Sequence, residues 1–171
     1  MPARRPILRT YLLVVEGETE LAFCLHLKRS LSHKVGAHIR VESANGKSPK
    51  SILRFAAGIL AHAAFDEVVA LFDADQDMEP EAHRICRKHK IECLRPDPCF
   101  EGWLLGLLGA GRPATSRACK EQFEASYLDR KKKLEASNYS KLFPANNLKE
   151  WCHDPIFRRM HAVFSNRAGD R

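Results

Sequence analysis

Apolar runs alternate with stretches of helical period along the first half of this chain. Tyr11–Val15 is a continuous β-rich run that stops abruptly at Glu16-Gly17, the pattern of a strand buried on both faces. From Glu18 to about Ser30, Leu21, Leu25 and Leu27 with Phe23 and Cys24 suit a helix packed on a sheet. His38–Val41 predicts a second strand, followed by a loop at Asn45-Gly46-Lys47-Ser48-Pro49. Ser51 to Ala64 returns to helical pattern through Ile52, Phe55, Ile59 and Leu60, and Glu67–Phe72 predicts a third strand ending at Asp73. Pro80 suits a first helical turn, with the helix running to about His89 before a fourth strand at Ile91–Leu94. Such alternation predicts an α/β fold, a mostly parallel sheet of about four strands with helices on both faces.

Beyond Pro98 the pattern changes. Phe100–Leu108 reads as an apolar helix, and the remainder as polar, basic and mostly helical, with breaks at Pro113, Pro144 and Pro155. No repeat or low-complexity linker intervenes. The expected organisation is therefore an α/β core over residues 1–98 and a helical extension over 99–171, packed together as a single compact unit whose last residues are disordered.

Charge adds a partner class. Twenty-eight Lys and Arg against 21 Asp and Glu leave a net +7, which favours a polyanion such as nucleic acid. Lys120, Arg130, Arg158 and Arg159 are the candidates for a basic surface. The run Arg130-Lys131-Lys132-Lys133 is expected to be a solvated helix end, because four consecutive helical positions spread around most of the circumference. Six cysteines at irregular intervals, with no Cys-x-x-Cys, suit a reducing cytosol. Tyr11–Val15 is too short for a signal-peptide core, and no run approaches the roughly 20 apolar residues of a membrane span. A cytoplasmic protein with no membrane partner is expected.

Chemistry enters through the acids. In parallel α/β sheets, reactive groups gather at the carboxyl ends of strands. Two predicted strands end in acids, the first at Glu16 and the third at Asp73-Ala74-Asp75. Glu20 follows Glu16 by about one helical turn, so both carboxylates can face one point. Four carboxylates so close repel one another unless a cation compensates them, and all-oxygen ligands select Mg²⁺ or Mn²⁺. Each piece alone has a plainer explanation. Glu-Gly-Glu-Thr-Glu also suits a helix N-terminus, and Asp-x-Asp a hydrogen-bonded turn. Both at strand ends of one sheet are harder to dismiss.

The segments Val14-Val15-Glu16-Gly17-Glu18-Thr19-Glu20 and Leu71-Phe72-Asp73-Ala74-Asp75 resemble the two signature motifs of TOPRIM domains, found in topoisomerases, bacterial primases and OLD-type nucleases. Asp97-Pro98-Cys99-Phe100-Glu101-Gly102-Trp103-Leu104-Leu105 is similar to the Asn-Pro-Cys-Phe-Glu-x-Trp-Leu-Leu segment of RloB-like proteins, small TOPRIM proteins often encoded beside an ATPase in restriction or phage-defence loci. Asn138-Tyr139-Ser140-Lys141 resembles that family's later Tyr-x-Lys element. Two departures stand out: Asp97 replaces the usual Asn, and Gly106-Leu107-Leu108 replaces a segment that often contains His. The resemblance implies a Rossmann-like sheet and an endonuclease cutting DNA or RNA with one or two Mg²⁺ or Mn²⁺ ions. Glu16, Asp73 and Asp75 would hold metal, with Glu16 also an acid or base. Glu20 and Glu101 would support a second ion, and Lys141 would stabilise the scissile phosphate. Attack would be in line, by metal-activated water. A partner ATPase and assembly of several copies are compatible with it.

Glu101 has support of its own. Its neighbours one turn away are Leu105 and Leu108, apolar surroundings in which a free carboxylate is costly unless a cation attends it. The plainer reading is a Glu at an exposed helix start. Among other classes, a calcium loop from Asp73 fails because Met78 stands where Gly is needed and Arg84 where a bidentate Glu is needed. Zinc at His83, Cys86, His89 and Cys93 lacks a paired ligand knuckle. A non-catalytic module that binds an ATPase or nucleic acid remains the main alternative, and an aspartyl-type phosphatase a minor one.

Overall fold

In the computed structural model, which describes residues 9–32, 38–46 and 48–165, β1 (Thr10–Val15) pairs in parallel with β2 (His38–Ser43) on one side and β3 (Glu67–Leu71) on the other. β4 (Ile91–Leu94) adds beyond β3, also parallel, so the strand order is β2-β1-β3-β4. The connections are α1 (Glu18–Leu31), α2 (Pro49–Leu60) and α3 (Pro80–His89). The α/β architecture expected from the alternation, Rossmann-like as the resemblance implied, is the one found. Among the described residues no helix is long and apolar enough to cross a membrane. The termini beyond the described residues include the segment expected to be disordered.

The side-chain alternation of β1 divides the core. Tyr11, Leu13 and Val15 join Val69 and Leu71 under α1, while Leu12 and Val14 join Val68, Ala70 and Phe72 under α2 and α3. Both faces are covered, which is why β1 is apolar from Tyr11 to Val15.

From Phe100 onward the chain packs on the α1 face. It forms α4 (Phe100–Leu107), α5 (Ser116–Ser126), short 3₁₀ turns at Lys132–Leu134, Ala136–Ser140 and Leu148–His153, and α6 (Pro155–Phe164). Phe23 of α1 is the hub. Its ring meets Phe100, Trp103, Tyr139, Phe143 and Phe157 edge-on at centroid distances of 5.2–6.4 Å. The extension therefore shares the core of the sheet rather than building a separate one.

Local differences from the sequence expectation have physical causes. β2 runs two residues past its apolar stretch, because Glu42 and Ser43 keep pairing with Val14 and Val15 along the sheet edge. Pro155 starts a helix instead of breaking one. Asp154 accepts from the Phe157 amide at 2.8 Å, and proline suits the first helical turn. The stretch 130–133 is a turn running into a 3₁₀ helix, not an α-helix end.

Candidate active site

Strand order reverses between β1 and β3, since β1 connects to β2 on one side while β3 and β4 build out the other. The crevice at such a switch point is where α/β sheets collect ligands. Val15 and Leu71 are register partners, so Glu16 and Asp73 leave the sheet side by side. The Asp73 amide donates to Glu16 Oε2 at 3.0 Å, and the Glu16 amide donates to Leu71 O at 3.0 Å.

Three further features assemble the site. Gly17 caps α1, and its amide donates to Glu20 Oε2 at 3.1 Å, turning that carboxylate back over the strand end. Asp73 Oδ1 accepts from the Phe100 amide at 2.8 Å, so Asp73 sits at the positive end of α4. Glu101 follows on the same helix. Behind the β3 loop, the Arg95 guanidinium stacks over Phe72 and donates to the carbonyls of Ala74 and Gln76.

Glu20, Asp73 and Glu101 are 8%, 4% and 3% exposed, and Glu16 is half-buried. Burial, followed by the charges of Asp73, Glu101 and Glu16, pushes the Glu20 carboxyl up to about 8. Burial and then the charge of Glu16 push Asp73 up to about 7, against the opposing pull of the Phe100 amide and Lys120. Negative charge is thus concentrated beyond what the fold by itself compensates.

Two lysines supply part of that compensation. Lys133 Nζ lies 2.8 Å from Glu101 Oε1 and 2.9 Å from Glu124 Oε1, with 12% of its side chain exposed. Lys120 Nζ stands 3.6 Å from Asp73 Oδ2 and is itself 45% exposed. Lys133 overturns the expectation of a solvated run. The Lys132 ammonium makes an exposed ion pair with Asp129, whereas Lys133 is drawn inward by two carboxylates. Nothing in the local sequence distinguishes it from its neighbours. Tyr139 is the other residue missed. It is fully buried on Phe23, and its hydroxyl donates to Lys133 O at 3.0 Å, pinning the lysine's backbone.

The other candidates scatter. Asp75 is exposed, and its Oδ2 accepts from Ser116 Oγ at 2.6 Å, tying the β3 loop to the start of α5. Lys120 sits at the acid group itself rather than on a separate basic surface. Arg130 pairs with Glu124 at 3.2 Å. Arg159 bridges Glu67 and Glu92 at the amino end of the strands, the far end of the sheet from the acids. Arg158 is exposed on α6. Lys141 is exposed, with no hydrogen bond or ion pair to the acids. Beside the acids opens a cleft of about 770 Å³ lined by Arg117, Lys120, Arg130, Lys133, Glu121 and Glu124.

The donor set suits a hard divalent ion: carboxylate oxygens only, crowded, buried and short of positive charge. Its present arrangement is not a ligand cage. Among the described residues, no three His, Cys, Asp or Glu side chains are grouped as a metal would need them. Asp73 and Glu101 are turned instead toward lysines. The composition of the site fits the ion, and the two lysines hold part of the place its charge would take.

No curated protein and no solved structure matches this chain. A family model for RloB-like proteins matches residues 11–164, a span that takes in both acid-bearing strand ends, the Phe100-Glu101 helix and the segment carrying Lys133 and Tyr139. The chain belongs to the RloB-like family.

Proposed function

We propose that this protein is a divalent-metal-dependent nuclease of the TOPRIM kind, cutting phosphodiester bonds of DNA or RNA in the cytoplasm within a prokaryotic restriction or phage-defence system. The observation that carries the reading is the convergence of four acids at the switch point, with Glu20, Asp73 and Glu101 buried beside half-buried Glu16 and mutually repelling. Such a group is costly unless it serves to hold positive charge. Bound Mg²⁺ or Mn²⁺ would supply a low-pKa water and charge compensation at the leaving oxygen. Glu16 and Asp73 would hold the ion, with Glu20 and Glu101 beside them. Asp75, exposed and anchored by Ser116, would lie on the substrate side. Half-buried Glu16 is the carboxylate best placed to accept a proton from water entering the site. The cleft lined by Lys120 and Lys133 would hold the backbone on either side of the scissile bond. A partner ATPase encoded nearby would then control access.

The test is incubation of plasmid DNA and single-stranded RNA with Mg²⁺, Mn²⁺ or EDTA, beside Asp73→Asn. Asparagine keeps the acceptor for the Phe100 amide and removes only the charge. Cleavage is expected with metal and lost in the variant. Cleavage in EDTA, or undiminished cleavage by the variant, would refute the mechanism. The lysine pairing of Asp73 and Glu101 favours a second reading, a non-catalytic nucleic-acid-binding module. Binding without cleavage by the wild-type protein in both metals would select it.

A further inference from the structure

In the structure as it stands, the cleft's cations are all engaged. Arg117 pairs with Glu121, Arg130 with Glu124, Lys133 with Glu124 and Glu101, and Lys120 with Asp73. Counting Asp73 and Glu101 with the lining residues, four cations face four carboxylates, and the cleft is electrically balanced. A balanced cleft is a poor phosphate site, because each lysine must leave a carboxylate before it can meet a phosphate.

Two of those carboxylates belong to the acid group and two do not. Glu121 and Glu124 lie on α5, and Glu124 shares Lys133 with Glu101. Asp73 and Glu101 are the ones a divalent ion would claim. We propose that the α5 cleft is a metal-gated site for a phosphodiester backbone: occupation of the acid group by a divalent ion releases Lys120 from Asp73 and leaves Lys133 with Glu124 alone, and the cleft, now with four cations against two carboxylates, binds phosphate. The gating rests on the nuclease reading and goes beyond it, since it assigns the substrate path and makes substrate affinity depend on the ion. Geometry favours both lysines for the exchange. The Lys120–Asp73 contact is loose at 3.6 Å with the lysine half-exposed, and Lys133 already lines the cleft while reaching inward. Tyr139, holding the Lys133 carbonyl, keeps the backbone fixed while the side chain changes partner.

The experiment is fluorescence anisotropy of a fluorescein-labelled single-stranded oligonucleotide with the full chain, on ice, in Mg²⁺ or in EDTA at matched ionic strength, with label integrity checked on a gel. Free Mg²⁺ screens phosphates, so ordinary lysine contacts weaken when it is added. Gating predicts the opposite: wild-type affinity about tenfold tighter in Mg²⁺, the order of effect of two added lysine–phosphate contacts. Lys120→Met and Lys133→Met should each remove much of that gain. Lys120 is exposed enough for its variant to fold, so the test does not depend on Lys133→Met. Equal or weaker wild-type binding in Mg²⁺, or a gain that survives Lys120→Met, overturns the proposal. Urea unfolding and plasmid cleavage in the same buffers separate the two failures. Mg²⁺ that stabilises the fold and supports cutting, yet leaves affinity unchanged, overturns gating alone. Mg²⁺ with no effect on unfolding, cleavage or affinity overturns the nuclease reading and gating together.

Discussion

Glu20→Gln isolates the electrostatic cost of the acid group. Glutamine has nearly the shape of glutamate and keeps an oxygen to accept the Gly17 amide, so the capping contact survives and only the charge disappears. In the folded chain the Glu20 carboxyl titrates at about 8, against an ordinary value of 4.5. Between those values the folded state holds a proton that the unfolded state has shed. Stability contributed by this group is therefore full below about 4.5, falls as pH rises, and is fully lost above about 8. The slope approaches 1.4 kcal/mol per pH unit for one proton, so from pH 5 to pH 7 the metal-free protein loses about 3 kcal/mol through Glu20. Asp73, raised to about 7, adds a decline of the same sign. Urea unfolding in EDTA across this range should show wild-type stability falling with pH and the Glu20→Gln line distinctly flatter, the two diverging toward pH 8. Parallel lines, or wild-type stability that rises with pH, would refute the claim that these carboxylates are buried against one another.

Three further outcomes follow from the same contacts. Lys133→Met should destabilise the protein by about 3–5 kcal/mol by leaving Glu101 buried and unpaired, and Glu101→Gln in the same chain should recover most of it, both read by urea unfolding. Gly102→Ala should cost about 1–3 kcal/mol, because a Cβ there would stand 2.9 Å from Cys119 Sγ and 3.0 Å from Pro98 Cδ where α4 and α5 meet; an unchanged melting midpoint would contradict that packing. Arg159→Gln should leave oligonucleotide affinity in the anisotropy assay unchanged, since its guanidinium is held by Glu67 and Glu92 at the opposite end of the sheet.

Much of the site's frame can be read along the chain. Tyr11–Val15 and residues 68–72 announce themselves because burial on both faces demands unbroken apolar residues, and a polar stop after each marks where the strand leaves the sheet. Glu16 and Asp73 meet because β1 and β3 are parallel neighbours of matched register; the alternation of elements allows that adjacency, and the strand order decides it. The helix that opens with Phe100-Glu101 lies in the core because Phe100, Trp103, Leu104 and Leu105 are large, apolar and buried.

The cations were different. Lys133 among four consecutive basic residues, Lys120 on a polar helix and Arg159 on an amphipathic one are alike in sequence, yet one is buried on Glu101, one rests against Asp73 and one closes the far end of the sheet. An apolar pattern is periodic and needs only its own element to be understood. An ion pair joins residues tens of positions apart, and which lysine reaches which carboxylate depends on how α5 is laid on α4 and the turn at Lys132–Leu134 on α1. The chain alone determined the strands, their order of appearance and the acids at their ends. Only the folded packing of the extension decided which positive charges those acids meet, because that choice is made by distance in space and not by spacing in sequence.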